Sequence, residues 1–235
     1  MLWDLTSTMP SKPTMHGCLT HAIARNLSRA KIVGLGSGST MAAFVKELTN
    51  LPSKSSICFV TTSLQIEIEA ENAGLETVDL SKLNAVDVVF DGADQIDSNF
   101  NMIKGGGGAL LREKLLMSAA NKVVILADFT KYVEHFTRSI PIEVHKLARS
   151  IIQQKLEMLG GRPLLRKAEN GYPYITENGN IILDTLFESI EDPIHTEIEL
   201  RSIPGISEVG LFRRADEYYK VKEDGSFELF QPGKK

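Results

Sequence analysis

The stretch KIVGLGSGST, residues 31–40, decides how the first part of the chain folds. Its apolar start predicts a buried strand, which breaks into glycines at alternate positions. Glycine lets a backbone approach a ligand closely, and the first turn of a following helix offers free N–H groups and a positive dipole end. The hydroxyls of Ser37, Ser39 and Thr40, which flank Gly38, add further donors. The stretch therefore favours a strand, an anion-binding loop and a helix, although a simple strand-to-helix turn explains the same residues.

Two familiar nucleotide-binding loops fit this stretch poorly. The dinucleotide fingerprint G-x-G-x-x-G needs a glycine at position 39, which is Ser39 here. The following strand ends at Val60 and Thr61 with no acidic residue for a ribose hydroxyl. The P-loop needs Gly-Lys-Ser/Thr, which is absent from this loop. The glycines therefore do not indicate a nucleotide cofactor.

Outward from this stretch, short apolar runs alternate with helical patterns. Several runs, such as VDVVF and KVVILA, are unbroken, as parallel strands buried on both faces require. Thr62 and Gln65 have the spacing of a capping box at the start of the second helix. The alternation predicts a doubly wound, mainly parallel α/β sheet. We expect strands at 31–35, 57–61, 76–79, 86–90 and 123–127, and helices near 39–49, 62–73 and 109–120.

The pattern changes after RSIPIEVH and reads strand, helix, strand, strand, helix, strand up to GLF. This order predicts a smaller, inserted α+β domain of the ferredoxin-like (βαββαβ) type. Asp192 and Pro193 suit the cap and the first turn of its second helix. The strand EYYKVK then returns to the first domain. We predict a Rossmann-like domain from 1–138 and 213–235, and a small ferredoxin-like domain at 139–212.

Composition excludes several classes of protein. The 235 residues carry a net charge of −4, so no basic excess indicates a nucleic-acid or membrane-surface partner. No apolar stretch approaches the 18 residues of a membrane span. The two cysteines, Cys18 and Cys58, indicate free thiols in a reducing compartment, and we expect a cytoplasmic protein. The acid-free segment between Asp4 and Glu47 leaves an organelle transit peptide as the alternative.

In an open parallel α/β sheet, ligands bind beyond the carboxyl ends of the strands. The strand VDVVF is followed by DGADQID, in which Asp91 and Asp94 bracket the small residues Gly92 and Ala93. A tight turn there aims both carboxylates at one place, where they accept hydrogen bonds from sugar hydroxyls, move protons or bind a metal. No histidine lies nearby, so we expect no metal. Turn chemistry alone accounts for one aspartate.

The segment IKGGGGALLREK places a lysine, a glycine run and a glutamate at the same edge. A run of glycines is costly in entropy, so Gly105, Gly106 and Gly107 indicate a backbone that passes very close to another group. Lys104 precedes them. Glu113 lies in the first turn of a helix that is otherwise mostly apolar, where it can stay ionised and act as a base. The alternative is a solvated Arg-Glu-Lys triplet.

The remaining candidates carry less weight. Lys131 follows the strand KVVILA and can meet a phosphate or a hydroxyl at the same edge, although a solvated lysine is the simpler reading. The five histidines have no metal-ligand spacing, and no G-x-S-x-G elbow is present. These candidates therefore add neither a metal site nor a serine nucleophile to the predicted ligand edge.

Together the motifs resemble one family. VGLGSGST, DGADQID, IKGGGGALLREK, ADFTK, PIEVHKLAR, LGGRP, ENGNIILD and IPGISEVGLF have the order and spacing of ribose-5-phosphate isomerase type A over about residues 30–225. The resemblance implies interconversion of D-ribose 5-phosphate and D-ribulose 5-phosphate in the non-oxidative branch of the pentose phosphate pathway. It also implies no metal or organic cofactor, and a homodimer or homotetramer formed through the small domain.

The resemblance also assigns roles to single residues. Glu113 is the general base that moves a proton between C2 and C1 through an enediol, and Lys104 is the active-site lysine. Asp91 and Asp94 match the aspartates of the family, and Lys131 matches its later ligand-binding lysine. The resemblance further implies that loop residues line the sugar-phosphate site, namely Ser37, Gly38, Ser39, Thr40, Gly92, Ala93, Gly105, Gly106 and Gly107.

Four positions depart from the pattern of the family. Ser37 stands where threonine is frequent, Gln95 where glutamate is usual, and Glu177 where aspartate is common. The family often has a lysine in its first helix that reaches the site, and the ungapped counterpart here is His16. The N-terminal side of the pocket is therefore the part that the resemblance leaves open.

Two other functions explain the sequence less well. A non-catalytic sugar-phosphate sensor normally carries a helix-turn-helix, and about 30 residues before the first strand are too few for one. An amino-sugar phosphate deaminase or an acyl-CoA transferase would use a similar sheet, but neither explains DGAD together with KGGGG and REK. An isomerase is the function that the sequence favours.

Overall fold

The first half of the chain alternates strands and helices as its apolar runs predict. The structure is a computed structural model that describes residues 14–233. Residues 1–13 and 234–235, with which the predicted first domain begins and ends, lie outside the described residues, as does the start of the acid-free segment. Among helices within 14–233, none has the length and apolar character needed to cross a membrane.

The elements follow in chain order. The helices are α1 His16–Asn26, α2 Gly38–Leu48, α3 Leu64–Asn72, α4 Leu110–Ser118, α5 Arg149–Met158 and α6 Pro193–Arg201. The strands of the first half are β1 Ile32–Leu35, β2 Cys58–Thr61, β3 Glu76–Thr77, β4 Val88–Asp91, β5 Gln95–Ile96, β6 Met102–Ile103 and β7 Val123–Asp128. Those of the second half are β8 Ile140–Val144, β9 Arg162–Leu165, β10 Ile181–Leu186, β11 Ile206–Val209, β12 Leu211–Phe212, β13 Glu217–Val221 and β14 Phe227–Phe230.

A seven-stranded sheet forms the centre, in the order β14-β13-β7-β4-β1-β2-β3. Every pair in it is parallel except β13 with β14. The chain winds from β1 to β2 and β3 on one side, and then continues from β4 to β7 on the other. The predicted doubly wound, mainly parallel sheet is confirmed, and the return of the strand at 217–221 to this sheet is confirmed as well.

Both faces of this sheet are covered, which explains its unbroken apolar strands. Alternate residues of β4 point to opposite faces: Phe90 packs in the core with α1, α2 and α3, and Val89 packs with Leu116 of α4 on the other face. The rings of Phe44 and Phe90 lie 4.5 Å apart between α2 and the sheet. Full burial of such a side chain contributes about 1.5–3 kcal/mol.

A second, antiparallel sheet has the order β11-β8-β10-β9. Counted within this unit, the order is 4-1-3-2, and α5 and α6 are the two connecting helices. The predicted β-α-β-β-α-β succession is confirmed. Asp192 caps α6, because its Oδ1 accepts hydrogen bonds from the N–H groups of Ile194 and His195, each at 3.0 Å. The division of the chain at 139 and 212 stays a prediction.

The segment SEVGLF is not one strand, as the sequence predicted, but two. Gly210 separates β11 from β12, which leaves the second sheet and pairs with β6. With β5 these strands form a small third sheet, in the order β12-β6-β5. Gly210 permits the crossing, since a Cβ there would lie 2.5 Å from the carbonyl oxygen of Lys104. The third sheet thereby brings Lys104, the residue after β6, to the junction between the two larger sheets.

The predicted capping box at Thr62 and Gln65 is wrong. The N-cap of α3 is Ser63, whose hydroxyl accepts a hydrogen bond from the Ile66 N–H at 3.4 Å. Thr62 is buried, and its hydroxyl has no hydrogen-bond partner among the described residues. The extended backbone of Ser63 fits the cap position, so the helix begins one residue later than the spacing indicated.

Candidate active site

A cavity of about 560 Å³ opens at the carboxyl ends of the central strands. It lies where β1 and β4 are neighbours and the chain winds away to either side, which is where open α/β sheets bind ligands. All fourteen residues predicted for the site lie on its wall: Ser37, Gly38, Ser39, Thr40, Asp91, Gly92, Ala93, Asp94, Lys104, Gly105, Gly106, Gly107, Glu113 and Lys131. The wall also includes Met15, Ala43, Asp128, Phe129, Thr130 and Glu223, which sequence reasoning missed.

Lys104 is the electrostatic centre of the cavity wall. Its side chain is 3% exposed, and its ammonium nitrogen lies 2.8 Å from Asp91 Oδ2 and 3.2 Å from Glu113 Oε2. It also donates a hydrogen bond to the carbonyl oxygen of Gly92 at 2.8 Å. The ammonium group thus faces two buried carboxylates and one carbonyl, so its orientation is fixed.

Burial and charge act in opposite directions on these groups. Burial alone lowers the pKa of Lys104, but the negative charges of Asp91 and Glu113 outweigh it and raise that pKa above its ordinary value. For Asp91, burial is the largest cause and raises the pKa to about 7, although Lys104 opposes the shift. The site therefore combines a permanently charged lysine with a carboxyl group that changes protonation near neutral pH.

Glu113 is buried, so the alternative of a solvated Arg-Glu-Lys triplet is wrong for this residue. It is 3% exposed in the first turn of α4, and its Oε1 accepts a hydrogen bond from the Ser37 hydroxyl at 2.5 Å. Gly34 in β1 lets α4 lie directly on the sheet, because a Cβ there would be 2.8 Å from Leu116. The close helix packing brings the Glu113 carboxylate to the cavity, and Ser37 and Lys104 hold it there.

The loop after β1 is shaped by its contact with Asp91. Gly36 donates its N–H to the carbonyl oxygen of Phe90 at 2.8 Å, and a Cβ at Gly36 would lie 1.9 Å from the carboxyl carbon of Asp91. Asp91 Oδ1 accepts a hydrogen bond from the Gly92 N–H at 2.7 Å. Position 36 therefore has to be glycine for the Asp91 carboxylate to occupy its present place.

We expect Gly36→Ala to displace the Asp91 carboxylate and to lower the kcat of a reaction that uses this carboxylate by roughly 10²-fold, since that is the usual cost of misplacing a reacting group by about 1 Å. The added methyl group also overpacks the loop, at a cost of about 3 kcal/mol in the free energy of unfolding. Steady-state kinetics and urea unfolding check both values. Gly17→Ala is the control, since a Cβ at Gly17 meets no atom within 4 Å. Equal behaviour of the two variants contradicts the steric argument.

Asp94 and the glycine loop, Gly105 to Gly108, contact each other beside the cavity. The Gly106 N–H donates to Asp94 Oδ2 at 2.8 Å, and a Cβ at Gly106 would come within 2.6 Å of Asp94 Oδ1. Gly105 and Gly108 adopt φ values of +97° and +87°, which only glycine takes up without strain. The backbone passes close to Asp94, as the glycine run predicts.

Arg166 and Tyr174, which are not among the predicted site residues, bind the backbone carbonyl groups of this loop. Arg166 donates from Nη1 to the carbonyl oxygens of Gly105 and Gly106 at 2.9 and 3.0 Å, and the Tyr174 hydroxyl donates to that of Gly107 at 3.0 Å. Neither residue follows a strand of the central sheet, so the rule that located the other site residues does not apply to them. Within residues 14–233, it is their hydrogen bonds to the glycine loop that identify them.

Gln95 and His16 are two of the positions that depart from the family pattern, and each has its own contacts in the structure. Gln95 ties down a turn: its amide nitrogen donates to the Thr137 hydroxyl at 2.6 Å, and its oxygen accepts from two backbone N–H groups. A glutamate there could not make the donated bond in its ionised form. His16 is not on the cavity wall, and its Nδ1 lies 2.7 Å from Glu47 Oε1. Met15, the residue before it, lines the cavity instead.

The charges on the wall indicate where an anion can bind. Asp91, Asp94 and Glu113 crowd one part of the described wall, where Lys104 is already paired with two of them. Lys131 and the start of α2 also line the wall and offer positive potential there. Within residues 14–233, no group of three or more His, Cys, Asp or Glu side chains is arranged to hold a metal ion.

Comparison with known proteins gives one consistent result. The family model for ribose 5-phosphate isomerase A (phosphoriboisomerase A) matches residues 58–225. The chain is 39% identical over 211 residues to ribose-5-phosphate isomerase A of Methanosarcina acetivorans, which covers 88% of this chain and 90% of that protein. It is 42% identical over 184 residues to the Korarchaeum cryptofilum protein of the same name, with 77% and 81% covered.

Solved structures agree with the sequence comparison. A D-ribose-5-phosphate isomerase in complex with phospho-erythronic acid superposes with a TM-score of 0.85 at 34% identity, over 93% of this chain and 100% of that one. The fold is therefore shared over 93% of this chain, at a sequence identity of 34%.

Proposed function

The chain belongs to the ribose 5-phosphate isomerase A family, and on that basis we propose that it interconverts D-ribose 5-phosphate and D-ribulose 5-phosphate through an enediol, with Glu113 as the base. The observation that carries this proposal is the buried Glu113 carboxylate. It lies on the cavity wall, fixed by Ser37 and balanced by Lys104. An aldose–ketose isomerase needs such a group, because one base must take a proton from one carbon and return it to the next.

The proposed reaction proceeds in two proton transfers. Glu113 takes the proton from C2 of the open-chain aldose, the C–H electrons form a C1–C2 double bond, and the carbonyl oxygen at C1 becomes negative. Lys104 is the positive group nearest to Glu113 and stabilises that charge. The C1 oxygen then takes up the proton that O2 gives up, so that a C1 hydroxyl and a C2 carbonyl form as Glu113 returns the carbon-bound proton to C1. General base catalysis accounts for roughly 10²–10⁴-fold of the rate.

Ring opening is the task proposed for Asp91 and Asp94. The furanose form has to lose the proton of its C1 hydroxyl and gain one on the ring oxygen. Asp91 has a pKa of about 7 and can supply a proton at neutral pH, while Asp94 is exposed enough on the wall to accept a hydroxyl hydrogen bond. Asp91 is the last residue of β4, and Asp94 lies in the turn after it, beside Gly106.

The phosphate is proposed to bind at the start of α2 and at Lys131. Ser39 and Thr40 lie in the first turn of α2, whose N-terminal N–H groups and dipole favour an anion. Gly38, at a φ of +81°, begins this turn. Lys131, in the short turn after β7, is the cation on the wall that Asp91 and Glu113 do not engage. The phosphate thus anchors the substrate while the sugar end reaches Glu113.

The raised pKa of Asp91 predicts a pH dependence. We expect kcat/KM for ribose 5-phosphate to fall as pH rises through about 7, because ionised Asp91 has no proton to donate. The folded state also binds this proton more tightly than the unfolded chain, so the free energy of unfolding should decrease between pH 4 and 7. Steady-state assays on both sides of neutral pH check the first effect, and urea unfolding between pH 4 and 7 checks the second. The bend should disappear in Asp91→Asn, and a bend that persists there contradicts the assignment.

The proposed activity is tested by assaying ribulose 5-phosphate formation from ribose 5-phosphate with the purified chain, before and after exhaustive EDTA treatment. We expect turnover that EDTA does not reduce. Hexose phosphates and other phosphopentoses serve as competitors. Binding of ribose 5-phosphate without turnover would favour the non-catalytic sensor, and activity that EDTA abolishes and a divalent ion restores would contradict the cofactor-free reaction.

The family also supports proposals about assembly and location. We propose a homodimer or homotetramer formed through residues 139–212, where Leu147, Ile151 and Leu164 expose 84%, 61% and 72% of their surface. Exposed apolar side chains of this size favour association. A cytoplasmic location agrees with two free cysteines.

A further inference from the structure

The glycine loop after β6 presents its carbonyl groups to the second sheet. Arg166, just beyond β9, binds the carbonyl oxygens of Gly105 and Gly106, and Tyr174 binds that of Gly107. These bonds are made on the side of the loop away from the cavity, because neither Arg166 nor Tyr174 lies on the cavity wall. Three consecutive carbonyls are therefore fixed by side chains from one unit of the fold.

Fixing a carbonyl also fixes the next N–H. In a trans peptide the C=O and the following N–H point in opposite directions, and the described chain contains no cis peptide bond. The Gly105 carbonyl points to Arg166, and the Gly106 N–H points the other way to Asp94. By the same geometry, the Gly106 carbonyl on Arg166 turns the Gly107 N–H towards the cavity, where no described residue accepts its hydrogen bond.

The Gly107 N–H lies close to the proposed chemistry. A Cβ at Gly107 would be 3.2 Å from the Ser37 hydroxyl, which itself donates to Glu113. A backbone N–H held in this position is a donor for an oxygen that becomes negative next to the base. Lys104 alone has to serve two carboxylates, so a second donor has a clear use.

We propose that Arg166 and Tyr174 are positioning residues that orient the Gly107 N–H as a donor to the charged oxygen of the reacting sugar. The inference rests on the proposed isomerase function. The carboxylate of Asp184 fixes Arg166 in turn, since it accepts from Nε at 2.8 Å and from Nη2 at 2.5 Å. All three guanidinium nitrogens are thus engaged, and a lysine cannot reproduce this planar fork.

The test compares a charged and an uncharged analogue. Phospho-erythronic acid carries a carboxylate where the enediol intermediate carries its negative oxygen, whereas ribitol 5-phosphate is uncharged at C1. Both share the phosphate. We expect Arg166→Lys to weaken binding of phospho-erythronic acid roughly tenfold and that of ribitol 5-phosphate less than about twofold, with kcat lowered and KM nearly unchanged. Tyr174→Phe should shift the same ratio by about threefold.

Arg162→Lys is the matched control, because Arg162 begins β9, the strand that Arg166 follows, is exposed, and has no side-chain hydrogen bond or ion pair with a described residue. It should behave as wild type. Equal weakening of both analogues, or none, in Arg166→Lys and Tyr174→Phe overturns the proposal. If Arg166→Lys does not fold, the ratio measured in Tyr174→Phe decides alone. A wild-type chain without isomerase activity contradicts the proposed function instead, so the two failures are distinguishable.

Discussion

Glu113→Gln is expected to lower kcat by roughly 10³–10⁴-fold while ribose 5-phosphate still binds within about threefold of wild type. The amide keeps the size of the side chain and can still pair with the Ser37 hydroxyl, but it cannot take a proton from carbon. Steady-state kinetics and calorimetric titration with ribose 5-phosphate measure the two effects separately.

The control for this variant is Glu191→Gln, an exposed glutamate outside the cavity wall. It should show wild-type kcat and KM. Turnover by Glu113→Gln within tenfold of wild type removes Glu113 as the base, because no amide can perform that transfer.

Lys104→Met is the second large effect. It leaves Asp91 and Glu113 buried without the charge that balances them. Removing one partner of a buried ion pair costs about 3–5 kcal/mol in the free energy of unfolding, and loss of the donor to the C1 oxygen lowers kcat by roughly 10²–10³-fold. Urea unfolding and steady-state kinetics measure these losses.

The pH dependence of the stability that Lys104→Met loses provides a further check. Without Lys104, burial raises the pKa of Asp91 unopposed by that positive charge, so the loss of stability should be larger at pH 8 than at pH 5. Lys155→Met, at an exposed position of α5, should change neither stability nor kcat appreciably. A Lys104→Met variant as stable as this control at both pH values contradicts the account of the ion pairs.

Much of the site could be predicted from the sequence because two rules coincide. Unbroken apolar runs identify parallel strands, and residues that follow such strands lie at one edge of the sheet. Asp91 ends β4, Asp94 follows it, and Ser37 follows β1, so their order in the chain already places them together. The glycines at 105–107 indicated a close backbone approach, which the contact of Gly106 with Asp94 explains.

The remainder depended on contacts between distant segments. Nothing local in GGRPLLRKA shows that Arg166 reaches a loop about 60 residues earlier, because its partners are backbone carbonyls that leave no mark in the sequence. The third sheet was missed since β5, β6 and β12 have two residues each, too few for a periodic pattern. Burial of Glu113 similarly depends on how closely α4 packs on Gly34.

Proton exchange at carbon tests the central claim most directly. The wild-type chain is incubated with ribose 5-phosphate in D₂O, and deuterium at C1 of ribulose 5-phosphate is followed by NMR, alongside Glu113→Gln at matched folded concentration. A carboxylate base exchanges its proton with solvent, so the account predicts deuterium at C1 with wild type and almost none with Glu113→Gln. Deuterium incorporation by Glu113→Gln at a rate near that of wild type would contradict it.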